Sequence, residues 1–333
     1  MSEKISLAHG DGGELAHQLI QEVFVSAFEH HEHARLDAAL LHVPSNKLAI
    51  STDSFVIKPV FFPGGNIGKL AIVGTVNDIA VSGAEPLYMT VGFILEEGFL
   101  IKDLKEIVTA MAEEAKKANV KIVAGDTKVV ERGSVDGIFI NTTGVGVIKE
   151  ENFLPRKIKE GDSVIISGTI GDHGVAILSA RGELGLLTDL ESDCACLNRL
   201  IDDIMSASNK VKIMRDPTRG GVATTLVEIC EDFKVAIEIR EDDLPIKPEV
   251  EGACDLLGFE PLYLANEGKL LVIVAKEDEA KVLEVMKKHE LGIDATSIGH
   301  VVEQGEGKLF LKMTLGSRRR LNRLSGIQLP RIC

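Results

Sequence analysis

The sequence predicts an α/β (α+β) fold in two domains, and three observations predict it. Apolar runs of strand length alternate with segments of helical period along the chain. Between Lys149 and Asp162 the alternation lapses into a charged stretch that contains Pro155, the signal of a junction. Beyond it the alternation restarts, so each half has the strands and helices for a sheet of its own. A chain of 333 residues has room for two such cores. The expected divisions are residues 1–155, residues 156–313 and a mobile C-terminal tail, 314–333.

In chain order, the pattern predicts strands over 48–51 and 55–62. Gly64-Gly65-Asn66 then opens a helix of small residues from about Ile67 to Ser82. A strand over 86–96 precedes a helix over 103–118, where Leu104, Ile107, Val108, Met111 and Ala115 share one face. Strands over 120–124 and 137–148 complete the first half. The second half opens with a strand over 163–167, followed by helices over 173–182 and 193–208. A helix follows Gly220-Gly221, then strands over 235–240 and 269–275, and a helix over 278–289.

Composition excludes several classes of function. The net charge of -14, from 51 acidic and 37 basic residues, opposes general affinity for nucleic acid or an anionic membrane. Five irregularly spaced cysteines do not form the framework of a secreted disulfide scaffold. The reading finds no signal peptide and no apolar run long enough to span a bilayer, so the expected location is the cytoplasm. Against the acidic body, the last eighteen residues carry five arginines, Arg318, Arg319, Arg320, Arg323 and Arg331, and no acid. They end in Leu329-Pro330-Arg331-Ile332-Cys333. A thiol tethered on one side only can travel between sites, and Leu329, Pro330 and Ile332 offer it apolar anchors.

Chemistry concentrates in short polar motifs. Asp53 lies in Ser51-Thr52-Asp53-Ser54, Asp78 follows Asn77 in an otherwise apolar helix, and Asp126 lies in Gly125-Asp126-Thr127-Lys128. Three carboxylates at the ends of apolar elements suggest a hard cation such as Mg²⁺, although any single Asp is more often a cap or a turn. His9-Gly10-Asp11-Gly12-Gly13 and Phe62-Pro63-Gly64-Gly65-Asn66 can turn backbone N–H groups toward phosphate, yet neither fits a Walker loop or a dinucleotide fingerprint. Arg215-Asp216-Pro217-Thr218-Arg219-Gly220-Gly221 and Asn266-Glu267-Gly268 add polar glycine turns. His173 stands near nucleotide or substrate, or caps the helix that follows it. The tract Glu29-His30-His31-Glu32-His33 reads as a solvated face, and Cys194, Cys196, Cys230 and Cys254 read as non-catalytic.

Taken together and in this order, these motifs and the terminal Pro-Arg-Ile-Cys closely resemble the HypE family of carbamoyl dehydratases, which act in hydrogenase maturation. That family belongs to the ATP-dependent superfamily of aminoimidazole ribonucleotide synthetase, selenophosphate synthetase and thiamine-phosphate kinase. The resemblance runs from His9 to Cys333, and it implies a two-domain ATP-dependent synthetase fold. It implies that residues 1–155 bind ATP and dimerise, that the cofactors are ATP and Mg²⁺, and that the protein is a homodimer. It further implies that a carbamoyltransferase, HypF, loads Cys333 with a carbamoyl group. ATP-driven dehydration then gives an S-cyanate, and the cyanide passes to a HypC–HypD complex for the iron of [NiFe] hydrogenase. Carried over residue by residue, Cys333 is the group carrier and Asp53, Asp78 and Asp126 hold the Mg–ATP. Asn77, Thr127, Gly64 and Gly65 surround the nucleotide, and Lys128 and Glu267 are catalytic. Forming C≡N removes both N–H protons, so a base is needed; Glu267 suits that role and Lys128 suits the phosphates. Two rivals stand beside this reading: a small-molecule kinase or synthetase, which needs no terminal thiol, and a metal or redox scaffold, which would not turn over ATP.

Overall fold

The computed structural model describes residues 3–10, 14–29, 41, 43–44, 47–148, 154–182, 185, 188–305 and 307–324. Cys333 and the tail beyond Leu324, Asp11 to Gly13, and His30 to His33 lie outside them. An N-terminal helical run comprises α1 (Glu14–Leu19), a π-helical stretch (Ile20–Val25) and α2 (Ser26–Phe28). The first half then builds a four-stranded sheet from β1 (Leu48–Phe55), β4 (Ala84–Glu96), β5 (Lys121–Val130) and β6 (Ile138–Ile148), in the order β1-β6-β4-β5. Only β4 and β5 run parallel, joined by α4 (Ile101–Ala118) as a crossover. A short hairpin, β2 (Phe61–Phe62) and β3 (Gly65–Asn66), leads into α3 (Ile67–Val81).

The sequence explains the helices. The Asn66 side chain accepts hydrogen bonds from the Gly68 and Lys69 amides at 2.9 and 3.0 Å, capping α3. Ile67, Leu70, Ile72, Val76 and Ile79 are all buried around α3, which therefore has no polar face. It lies against the sheet, α4 and the second half at once. Gly68 lets α3 approach so closely that a Cβ there would collide with the Ile107 carbonyl. On α4 the five apolar residues of the expected face are all buried, and Asn119 ends the helix in the left-handed region, φ 58°.

The second half is a seven-stranded sheet, ordered β13-β12-β9-β11-β7-β10-β8. Its strands are β7 (Ser163–Ile166), β8 (Val211–Arg215), β9 (Val235–Arg240), β10 (Leu271–Val274), β11 (Thr296–Gln304), β12 (Lys308–Lys312) and β13 (Arg318–Leu321). Alternate residues face opposite layers. Val164 and Ile166 pack with Val222, Leu226 and Ile229 of α7 (Gly221–Phe233), whereas Ile165 packs with α6 (Asn198–Ala207) and α9 (Glu279–Lys288). A side cluster joins α5 (Asp172–Arg181) to α8 (Pro248–Leu257) through Val175, Val250 and Leu264.

Three departures from the sequence pattern have physical causes. Pro59 has no N–H for a ladder, so the expected strand over 55–62 survives only as β2, while β1 runs on through Asp53 to Phe55. The expected helix from Asp193 begins at Asn198, because residues 193–197 are drawn out across Asn77. The Asn77 side chain donates to the Ala195 carbonyl at 3.1 Å and accepts from the Leu197 amide at 2.8 Å. Arg318–Leu321, inside the span assigned to the tail, forms the edge strand β13 on β12. Among the described residues, no helix is long and apolar enough to cross a membrane.

Candidate functional site

Where the two halves meet lies a cavity of about 500 Å³ lined by β1, α3, the segment after β8, and Glu267. Its composition follows from local geometry. Along β1, Ser51, Asp53 and Phe55 alternate with exposed Ile50, Thr52 and Ser54, so the period-two pleat turns Asp53 inward to α3. On α3, Gly74 and Asp78 stand one turn apart, facing β1; Gly74 leaves the space that the Phe55 ring takes. Ser51 Oγ donates to Asp78 Oδ2 at 2.7 Å.

From the other half, Arg215, Asp216, Thr218 and Arg219 arrive on a tight turn into α7. Gly220 and Gly221 hold positive φ there, 77° and 62°, which favours glycine. Asn266 fastens this turn: its amide and its side-chain Nδ2 both donate to the Pro217 carbonyl, at 3.1 and 3.0 Å, and its Oδ1 accepts from the Gly171 amide at 2.8 Å. Glu267 is presented next to it. The Glu267 amide donates to Asp193 Oδ1 at 3.0 Å, and a Cβ on Gly268 would collide with the Asp193 carbonyl. The motif Asn-Glu-Gly is thus a tie, a carboxyl group and a close approach in succession.

Four carboxyl groups, Asp53, Asp78, Asp216 and Glu267, share the cavity with Arg215 and Arg219. Burial and then the Asp78 charge push Asp53 up to about 6, with Arg219 pulling against them. Burial, followed by Asp78, pushes Asp216 up to about 7. Glu267 is raised well above the usual carboxyl range by burial first and then by Asp193, Asp216, Asp53 and Asp78. Raised values of this kind report burial first and, beside it, negative charge without enough positive charge to offset it. An all-oxygen donor set with surplus negative charge fits a hard divalent cation. Among the described residues no three His, Cys, Asp or Glu side chains converge closely enough to cage a metal alone. The cluster therefore fits Mg²⁺ held by one or two carboxylates and completed by phosphate and water, rather than an all-protein site. A larger cavity, about 830 Å³, lies between Phe28, α4 and the start of β5, away from these carboxyl groups.

The other expected residues fall in different places. Asp126, Thr127 and Lys128 are on β5, at the edge of the sheet opposite β1, and the expected trio of Asp53, Asp78 and Asp126 is not assembled within one chain. Asp126 pairs with Gly92, and Lys128 with Ile94; both charged residues are exposed on the face that α3 and α4 leave open. Asn77 is buried and ties the halves together, as above. Gly64 accepts from Lys69 Nζ at 2.9 Å and abuts the backbone of Ser192, while the first α3 amides are taken by Asn66. His173 is buried, its Nδ1 2.8 Å from Ser192 Oγ and its ring edge-on to Phe62. His9 Nδ1 accepts from the Ser6 amide at 3.1 Å. Burial pushes Cys196 and Cys230 up to about 12 and Cys254 up to about 11, and raises Cys194 well above the usual thiol value, so these four are held as thiols. The sequence reading missed Asp216 and Arg219 as members of the site. The signal was present in an Asp and an Arg bracketing Pro-Thr just before a glycine pair.

Two sheets, a site between them and this motif order define a class. Family models of the AIR synthase related protein match residues 35–148 (N-terminal domain) and 159–312 (C-terminal domain). Within that class the chain belongs to the HypE family of carbamoyl dehydratases. It is 47% identical to carbamoyl dehydratase HypE of Rhodobacter capsulatus, over 99% of this chain and 98% of that protein. A solved hydrogenase maturation protein HypE in complex with ATP superposes with a TM-score of 0.93 at 42% identity, covering 98% of this chain and 99% of the other. A chain of a solved HypE–HypF complex superposes at 0.81 with 51% identity, covering 92% and 99%.

Proposed function

We propose that this chain is an ATP-dependent dehydratase that acts on its own Cys333, converting an S-carboxamide to an S-cyanate as the source of the cyanide ligand of [NiFe] hydrogenase iron. The observation that carries the reading is the convergence of four carboxyl groups and two arginines in one cavity at the junction of both halves. In the balanced reaction the amide oxygen leaves as phosphate, ATP becomes ADP, and the two N–H protons go to bases. Asp53, Asp78 and Asp216 hold the cation and its phosphates, and Arg215 and Arg219 face the developing phosphate charge. Mg²⁺, when bound, supplies the positive charge that the pocket lacks. Glu267 takes an N–H proton, a role open to it once that charge offsets the burial and the neighbouring carboxylates that raise it. Asp126, Thr127 and Lys128 complete the site from a second copy of the chain, because β5 and β1 are the two edges of one sheet and the open face carries exposed Ile50 and Ile94. HypF, the partner in the related complex, is the carbamoyl donor, and a HypC–HypD complex is the cyanide acceptor.

Intact-mass analysis tests this. After incubation with a carbamoyl donor system, one carbamoyl adduct is expected on Cys333, and ATP should then remove the mass of one water. An adduct on Cys194, Cys196, Cys230 or Cys254, or an adduct indifferent to ATP, overturns the proposal.

A further inference from the structure

Beyond Leu321 the chain leaves the sheet, yet its next three residues remain fixed. Tyr263 Oη donates to the Asn322 carbonyl at 2.9 Å. Arg323 reaches Glu231 Oε2 through Nε at 2.8 Å and Nη2 at 2.7 Å, and its Nη1 lies 3.8 Å from Glu228. The Leu324 amide donates to Thr224 Oγ1 at 3.2 Å. These contacts cover little apolar surface, since Asn322 and Arg323 are exposed, so core packing does not account for them. The acceptors that meet Arg323 and Leu324 share one face of one helix: Thr224, Glu228 and Glu231 follow each other at helical spacing on α7.

That helix leads directly from the site. Thr224 lies against Gly220, the residue after Arg219 of the pocket wall. Glu228, besides meeting Arg323, accepts from Arg215 Nη2 at 3.1 Å, and Arg215 lines the same pocket. One carboxylate thus stands between the pocket wall and the root of the tail. Nine residues, 325–333, follow the anchor, and fully extended they span about 30 Å. The anchor stands about one helical turn, roughly 5 Å along the axis, from the end of the pocket wall.

We propose that Tyr263, Thr224 and Arg323 form a clamp that fixes where the last nine residues depart, and so act as positioning residues for the chemistry at Cys333. The proposal rests on the functional reading above. Each contact is weak alone, because exposed ion pairs contribute little. Acting on three successive residues, they set the origin of the tether, and the tether sets the effective concentration of Cys333 at the pocket.

The test compares one reaction in two arrangements. In cis, the carbamoylated full chain is given Mg-ATP and the loss of water is followed by intact mass. In trans, a full chain carrying Cys333→Ala is given a synthetic peptide of residues 325–333 with a carbamoylated cysteine. Each is run with the wild-type clamp, with Tyr263→Phe plus Arg323→Gln, and with the isosteric Thr224→Val, which guards against misfolding of the double variant. Freeing residues 322–324, while β13 stays paired with β12, lengthens the tether from nine to about twelve residues, so the cis rate should fall about 1.5-fold. The trans rate should not change. Added salt should slow the wild-type cis reaction more than that of the Arg323→Gln chain. Water loss in wild type with unchanged cis rates in the variants overturns the clamp alone, as do equal falls in cis and trans. No water loss from wild type in either arrangement overturns the functional reading, and the clamp with it.

Discussion

Asp53, Asp216 and Glu267 keep their protons to higher pH in the folded chain than in the unfolded one, and this has a consequence for stability. Between the unfolded and folded values the native state binds more protons, so stability falls as pH rises. For Asp53 and Asp216 the loss runs upward from about pH 4 through about 6 and about 7. In the absence of metal and nucleotide the melting temperature should therefore fall as pH is raised from 5 to about 8. Asp216→Asn should flatten that slope, and Mg²⁺ should restore stability at the upper end while doing little at the lower. A melting temperature that rises over this window would sink the account. Asp53→Asn removes a charge from the crowded cluster and should stabilise the metal-free chain near neutral pH by about 1 kcal/mol, after discounting for partial exposure. The same change should lower ATP turnover on the order of a hundredfold, the usual opposition between a strained site and a stable one. Asp53 and Asp78 stood out in the sequence because polar residues interrupting apolar runs are conspicuous, whereas Glu267 stood out only through the family resemblance of its motif. Asp216 did not, because a glycine turn explains itself without a ligand, and only the tertiary meeting of α3 with the β8–α7 turn gives it another use.

The elements that the sequence revealed are those whose signal is local. The helix α4 shows its apolar stripe, and α3 shows its cap. Asn66→Ala should cost about 1 kcal/mol, read from chemical denaturation, because two α3 amides lose their acceptor. The sequence reading did not assign α8, β8, β11, β12 or β13. The strand β8 is short, with Val211, Ile213 and Met214 buried, and β13 is arginine-rich; β13 is a strand because β12 pairs with it and because Arg318 and Arg319 meet Glu238 and Glu260, at 2.7 Å each. The turn at Gly268 lies between these cases, visible as a motif but not as a contact. A methyl group there collides with the Asp193 backbone, which cannot yield as a flexible side chain would. Gly268→Ala should cost about 3 kcal/mol and, in conditions where the variant is still folded, lower ATP turnover by displacing Glu267. Full turnover from the folded variant would show that the position of Glu267 is not critical.

At the scale of the whole molecule, two domains could be read from one lapse in the pattern, but the way they assemble could not. The pocket draws Asp53 and Asp78 from one half and Asp216 and Glu267 from the other, and the order β1-β6-β4-β5 sends Asp126 to the far edge. Strand order is not encoded in hydrophobic period, which is why three aspartates that belong together as motifs stand apart in one chain. In the proposed dimer a second copy resolves this. The uncovered face exposes Ile50 at 67% and Ile94 at 40%, together with Thr52, Thr90, Asp126 and Lys128, an apolar and charged mixture suited to a like surface. Ile50→Asp should yield monomers by sedimentation and abolish turnover. The composite site makes a stricter demand. Asp53→Asn and Asp126→Asn chains should each be nearly inactive alone. If each site takes Asp53 from one chain and Asp126 from the other, a heterodimer has one site with both changes and one with neither. Random exchange of equal amounts makes half the dimers mixed, so about a quarter of wild-type activity should return. If both aspartates serve from the same chain, every site keeps one change and mixing restores nothing. If the Asp126→Asn chain is fully active by itself, Asp126 lies outside the site and β5 contributes only to the sheet.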